Sequence, residues 1–150
     1  MKRFFAFLFC GLLGLVNAHS QNADTLTRII EADKVTFSQV EYLCAVESGI
    51  ADENATEIEA MELLEKQYFK KVKHNADKAI NLSQTADILA RTWNVNRSII
   101  YSEIKLPRYA FKMLQAEGII GENADPHKKL SGHEFLNMFS ACLEKYGERK

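Results

Sequence analysis

Three short stretches of the chain repeat one pattern, a polar loop running into a helix start. They are Asp33-Lys34-Val35-Thr36-Phe37-Ser38, Asp77-Lys78-Ala79-Ile80-Asn81-Leu82-Ser83 and Asp125-Pro126-His127-Lys128-Lys129-Leu130-Ser131. Their serines lie 45 and 48 residues apart. A period of that length is the signature of one supersecondary unit per repeat, and such units bury their apolar faces only by stacking on one another.

The helix starts are written in capping boxes, in which a Ser or Thr accepts the amide hydrogen bond three residues on and a Glu or Gln there reaches back. On that pattern Ser38 with Glu41, Thr56 with Glu59, Ser83, and Ser131 with Glu134 each open a helix. Behind Ser38, the residues Val40, Leu43, Cys44 and Val46 recur at helical spacing. Behind Thr56 the predicted inner stripe is Ala60, Met61, Leu63, Leu64 and Tyr68. Behind Ser83 it is Ala86, Ile88, Leu89 and Trp93, and a further helix begins at Pro107, where a missing N–H is harmless. Tyr109, Ala110, Met113 and Leu114 face inward from it, and Phe135, Leu136, Met138, Phe139, Cys142 and Leu143 do so from the last helix. Glu59 to Leu64 precedes Tyr109 to Leu114 by 50 residues, and each leads through an Asn-Ala-Asp loop into the next capped helix. No stretch sustains strand alternation, although Ile119-Ile120 has a short strand-like look. The expected fold is all-α, with helical-hairpin repeats, two full units plus a closing helix, packed into one small bundle-like domain over residues 33–147.

Residues 1–18 are set apart from that domain. Lys2 and Arg3 precede the apolar run Phe4 to Val16, and Val16-Asn17-Ala18 offers small or permissive residues where an export peptidase cuts. This is the layout of a secretory signal peptide, and the run falls short of the roughly 20 residues that span a bilayer. Export to the periplasm, the cell surface or the medium is therefore expected, with no membrane span in the mature chain. Residues 19–32 read as a flexible lead-in followed by a short helix from Leu26. Without Lys2 and Arg3, 17 basic residues stand against 20 acidic ones, a net charge of −3 that gives no reason to look for nucleic acid. Cys44 and Cys142 remain. An exported chain permits a disulfide between them, but both sit on apolar helix faces, where a free cysteine packs as a small core residue.

The order of motifs resembles the S-layer homology module, an exported helical repeat of similar length. That family's capped helix opens Ile/Leu-Thr-Arg-Ala-Glu, matched here by Phe37-Ser38-Gln39-Val40-Glu41, Leu82-Ser83-Gln84-Thr85-Ala86 and Leu130-Ser131-Gly132-His133-Glu134. Its second helix carries an aromatic-Ala pair and ends in Gly-Ile-x-Gly, matched by Tyr109-Ala110 and by Gly118-Ile119-Ile120-Gly121. The resemblance implies binding of an anionic cell-wall polymer. However, the family's ligand-contacting Arg falls at Gln39, Gln84 and Gly132, none of them basic.

Chemistry is sparse. Glu47-Ser48 before Gly49 is similar to the catalytic pair of lytic transglycosylases, in which a Glu serves as general acid in a sugar cleft. The glycine-rich motifs that follow it in that family are missing. His19, His74, His127 and His133 are scattered, so no metal site and no cofactor are expected. Lys66, Lys70, Lys71 and Lys73 read as a solvated helix end. The strongest binding candidates are Arg97, Tyr101, Lys105, Arg108 and Tyr109, where cations and aromatics fall together as contact with an anionic glycan or an acidic protein surface requires. The resulting expectation is a non-enzymatic interaction module of the cell envelope whose partner is a protein or a wall polymer. A peptidoglycan-cleaving enzyme using Glu47 and a purely structural accessory are the alternatives.

Overall fold

The structure, a computed structural model, describes residues 23–70, 72–95 and 104–147. Residues 1–18, read above as a signal peptide, lie outside them. Among the described residues the chain is helical. Helix α1 (23–30) is followed by α2 (Phe37–Glu47), α3 (Glu57–Tyr68), α4 (Leu82–Thr92), α5 (Pro107–Ala116) and α6 (Gly132–Tyr146). Helices α2 and α3 pack as one hairpin pair and α4 and α5 as a second, while α4 also touches α2 and α6. Ile119-Ile120 forms no strand. The β-type pairings described are two isolated bridges, Thr36 with Ala79 and Asn81 with Lys129.

Those bridges mark where the units interlock. Val35, Ile80 and Leu130 hold the same place in the three repeats, one residue before each cap, and all are buried. The Val35 amide donates to the Leu130 carbonyl at 2.9 Å, and the Ile80 amide to the Val35 carbonyl at 3.0 Å. The first-turn amides, which a helix cannot satisfy internally, also donate between units. Those of Phe37 and Ser38 donate to Lys78 and Ala76, and those of Leu82 and Ser83 to Lys128 and Pro126. Repeating loops thus serve as external caps for repeating helices.

This arrangement shifts the register of the caps. The N-caps are Thr36, Asn81 and Ser131, each in a reciprocal box with Gln39, Gln84 and Glu134, and their spacing is 45 and 50 residues. Ser38 and Ser83 are not caps but buried residues of the first turn, and Glu41 is not a cap partner. Both Thr36-x-x-Gln39 and Ser38-x-x-Glu41 satisfy the box pattern. The earlier start prevails because it turns Phe37 into the core and places its amide and that of Ser38 on the neighbouring loop. Ser38 Oγ instead donates to Glu57 Oε2 at 3.1 Å. Thr56 and Ser131 do cap α3 and α6.

Residues 23–32 of the lead-in pack into the fold. Helix α1 begins at residue 23, Ile29 is fully buried, and the Gly132 amide donates to the Ala32 carbonyl at 2.8 Å. A β-carbon on Gly132 would sit 1.8 Å from the Ile29 carbonyl oxygen, so the third unit needs glycine where the others carry Phe37 and Leu82. On α3, Leu63 faces outward at 44% exposure while Leu64 is buried. The inner stripe is therefore narrower than the spacing predicts.

Candidate functional site

The predicted binding residues divide. Arg97 and Tyr101 lie outside the described residues. Lys105 is exposed on the approach to α5 and Arg108 in its first turn, and Tyr109 is half-buried against the core. The Arg108 guanidinium carbon lies 5.4 Å from the Tyr109 ring centroid, within cation–π range. Glu47 ends α2 half-buried and lines none of the grooves described below. Cys44 and Cys142 are buried and unbridged, so the possible disulfide is replaced by two core thiols. Burial pushes the Cys142 thiol up to about 12 and that of Cys44 upward as well, which leaves both in the unreactive neutral form.

Arg91, unremarked in the sequence pattern, ties the two hairpin pairs together. Its Nε donates to Asp87 Oδ2 at 3.1 Å, Nη1 to the Tyr68 carbonyl at 3.1 Å and Nη2 to the Lys105 carbonyl at 2.9 Å. The guanidinium also lies 4.5 Å from the Phe69 ring centroid. Spreading a planar fork over one carboxylate and two carbonyls is work that arginine does and lysine does not.

The main concentration of buried charge lies in the first hairpin pair. Glu41 from α2, Glu65 from α3 and His74 from the loop after α3 converge, with one donor atom from each lying within 4.8 Å of the others. His74 Nδ1 is 2.6 Å from Glu41 Oε1 and 3.2 Å from Glu65 Oε1. The His74 amide also donates to Glu65 Oε1 at 2.5 Å. The imidazole is stacked on Phe37 at 4.5 Å and meets the edge of Phe69 at 5.0 Å. The Glu41 side chain has no exposed surface, and its Oε2 has no hydrogen-bond partner. Burial raises the Glu41 carboxyl above its ordinary value, and the bond to His74 draws it partly back.

Local spacing could not reveal this cluster, because Glu41 and His74 are 33 residues apart. A signal was nonetheless present. Glu41 lies four residues after Phe37 and three before Cys44, on the apolar face of α2, and Glu65 lies four after Met61. A carboxylate at a core-facing position needs a partner or a charge state to explain it.

Three of the surface grooves among the described residues accompany these features. One of about 790 Å³ runs along α3, with Glu62, Leu63, Glu65, Lys66, Lys70 and Lys73 among its walls. A second, of about 690 Å³, lies between α1 and the start of α3 near Arg28, Tyr42 and Glu57. The third, of about 430 Å³, lies beside Ile120, Asp125 and Glu134. No family model, curated protein or solved structure matches the chain.

Proposed function

We propose that this chain is an exported, non-enzymatic interaction module of the cell envelope that holds a protein or an anionic glycan component of that envelope. The observation that carries the reading is the stretch leading into α5. Ile104 and Leu106 are each 48% exposed there, and Lys105 and Arg108 are exposed beside them. Scattered apolar residues on a surface mean little. Two large aliphatic side chains alternating with cations instead offer apolar burial and charge complementarity on one short segment.

The resemblance to S-layer homology repeats supports export and stacking, but it does not supply the contact. With caps at Thr36, Asn81 and Ser131, the position after the cap, which holds Arg in that family's motif, falls on the buried residues Phe37, Leu82 and Gly132. We therefore place the anionic contact at Lys105 and Arg108. The test is sedimentation of the chain from Ser20 onward with purified peptidoglycan carrying its attached polymers. Binding that weakens with salt, and weakens further in Arg108→Glu, is the expected result. No sedimentation at either salt removes the glycan partner and leaves a protein one. Glu47→Gln is expected to change nothing.

A further inference from the structure

The Glu41–Glu65–His74 cluster plays no part in the docking segment, and its composition exceeds what the fold requires. In the α4–α5 pair the corresponding loop is held by a neutral side chain. Ala86 stands at the position of Glu41 and Gln115 at that of Glu65, and Gln115 Nε2 donates to the carbonyls of Gly121 and Glu122 at 2.9 Å each. The first pair instead buries two carboxylates around one imidazole. One imidazole faces both of them, and Glu41 Oε2 remains without a partner in a position with no exposed surface. Buried charge of this kind is costly unless something neutralises it.

We propose that Glu41, Glu65 and His74 form a binding site for a divalent transition-metal ion of the zinc or manganese type. The donors are His74 Nδ1, a Glu41 carboxylate oxygen and a Glu65 carboxylate oxygen. Nδ1 is 2.6 and 3.2 Å from the two oxygens. Donors about 2.0–2.2 Å from one ion lie about 3 Å apart, so a small outward movement of the side chains admits it. One imidazole with two carboxylates suits zinc, manganese or ferrous iron better than calcium or magnesium, which take oxygen-only sets. Binding requires a deprotonated Nδ1, so any proton on that nitrogen leaves to solvent as the ion enters, and the ion's two positive charges balance two carboxylates. Glu65 lines the 790 Å³ groove along α3, which gives the ion its route. The ring contacts with Phe37 and Phe69 hold the imidazole plane while it binds.

The test is titration of the metal-stripped protein with Zn2+ and with Co2+ as a spectroscopic substitute, using Mg2+ and Ca2+ as controls. One ion per chain is expected, with cobalt absorption bands characteristic of nitrogen and oxygen ligands and a thermal midpoint that rises with Zn2+ concentration. Glu41→Gln and Glu65→Gln should each weaken binding by about 100-fold or more, while Glu62→Gln on the groove wall should not. Circular dichroism establishes that each variant is folded, and either carboxylate variant alone suffices if the other is not. Absence of Zn2+ and Co2+ binding at millimolar metal overturns the proposal. So does binding that survives in a folded Glu41→Gln or Glu65→Gln chain, or equal binding of Ca2+ and Mg2+.

Discussion

The α2–α3 and α4–α5 pairs are two versions of one unit that close their loops by opposite means. In the second, a neutral amide, Gln115, reaches two loop carbonyls, and Ala86 fills the core behind it. In the first, Glu65 accepts the loop amide of His74, and the imidazole bridges it to Glu41, buried beneath. The same loop closure is therefore reached with a buried charged set and with a neutral side chain. A neutral solution exists within the same molecule, so the charged one is a property of that pair's chemistry and not of the repeat.

The largest effect is expected at the third unit, where the helix start departs from the other two. Gly132→Ala drives a β-carbon against the Ile29 and Ile30 carbonyls and should cost about 3 kcal/mol in chemical denaturation. Alanine tolerated there would mean that α1 is only loosely seated. Next comes the exchange that gives the first pair the neutral character of the second. Glu41→Leu combined with Glu65→Gln, measured without metal, should leave stability unchanged or raise it by about 1–2 kcal/mol, because a buried charged set gives way to neutral side chains of similar volume. A loss of about 3 kcal/mol would make the charged set a structural requirement of the first pair.

The smallest effect separates the caps. Gln39 and Gln84 complete the boxes of α2 and α4, but Glu134 completes that of α6, and its hydrogen bonds with Lys128 and then Ser131 hold its carboxyl below the ordinary value. A lowered folded-state value means that the stabilisation is fully present above the ordinary carboxylate range and is lost as pH falls through the folded value. The pair is well exposed, so the amount is a few tenths of a kcal/mol. A stability–pH profile of Glu134→Gln should be flatter in the acid limb, and an unchanged profile would deny the α6 cap its ionic character.

The helical class, the paired units and the caps at Thr56 and Ser131 could be read from spacing alone, because capping and apolar periodicity are local properties. Between Thr36 and Ser38 the local rule fits both. The decision lies with loop carbonyls at Lys78 and Ala76, about 40 residues away, which no window around the cap contains. The charged cluster escaped for a related reason. Its members come from two helices and a loop, and Glu41 and Glu65 look ordinary until the face each occupies is drawn. Arg91 escaped because its partners Tyr68 and Lys105 are engaged through backbone carbonyls, which carry no residue identity.

The seam between Ala32 and Gly132, with the nearby bond from Val35 to Leu130, has a consequence for the order of events during synthesis. The segment around Val35 emerges early, with an amide whose partner, the Leu130 carbonyl, lies near the far end of the chain. The ring of loops cannot shut until the residues around Leu130 and Gly132 exist. Assembly therefore finishes in one late, long-range step, the kind that topology makes slow. A chain interrupted before that point would contain the residues of α1 to α5 and still lack its keystone.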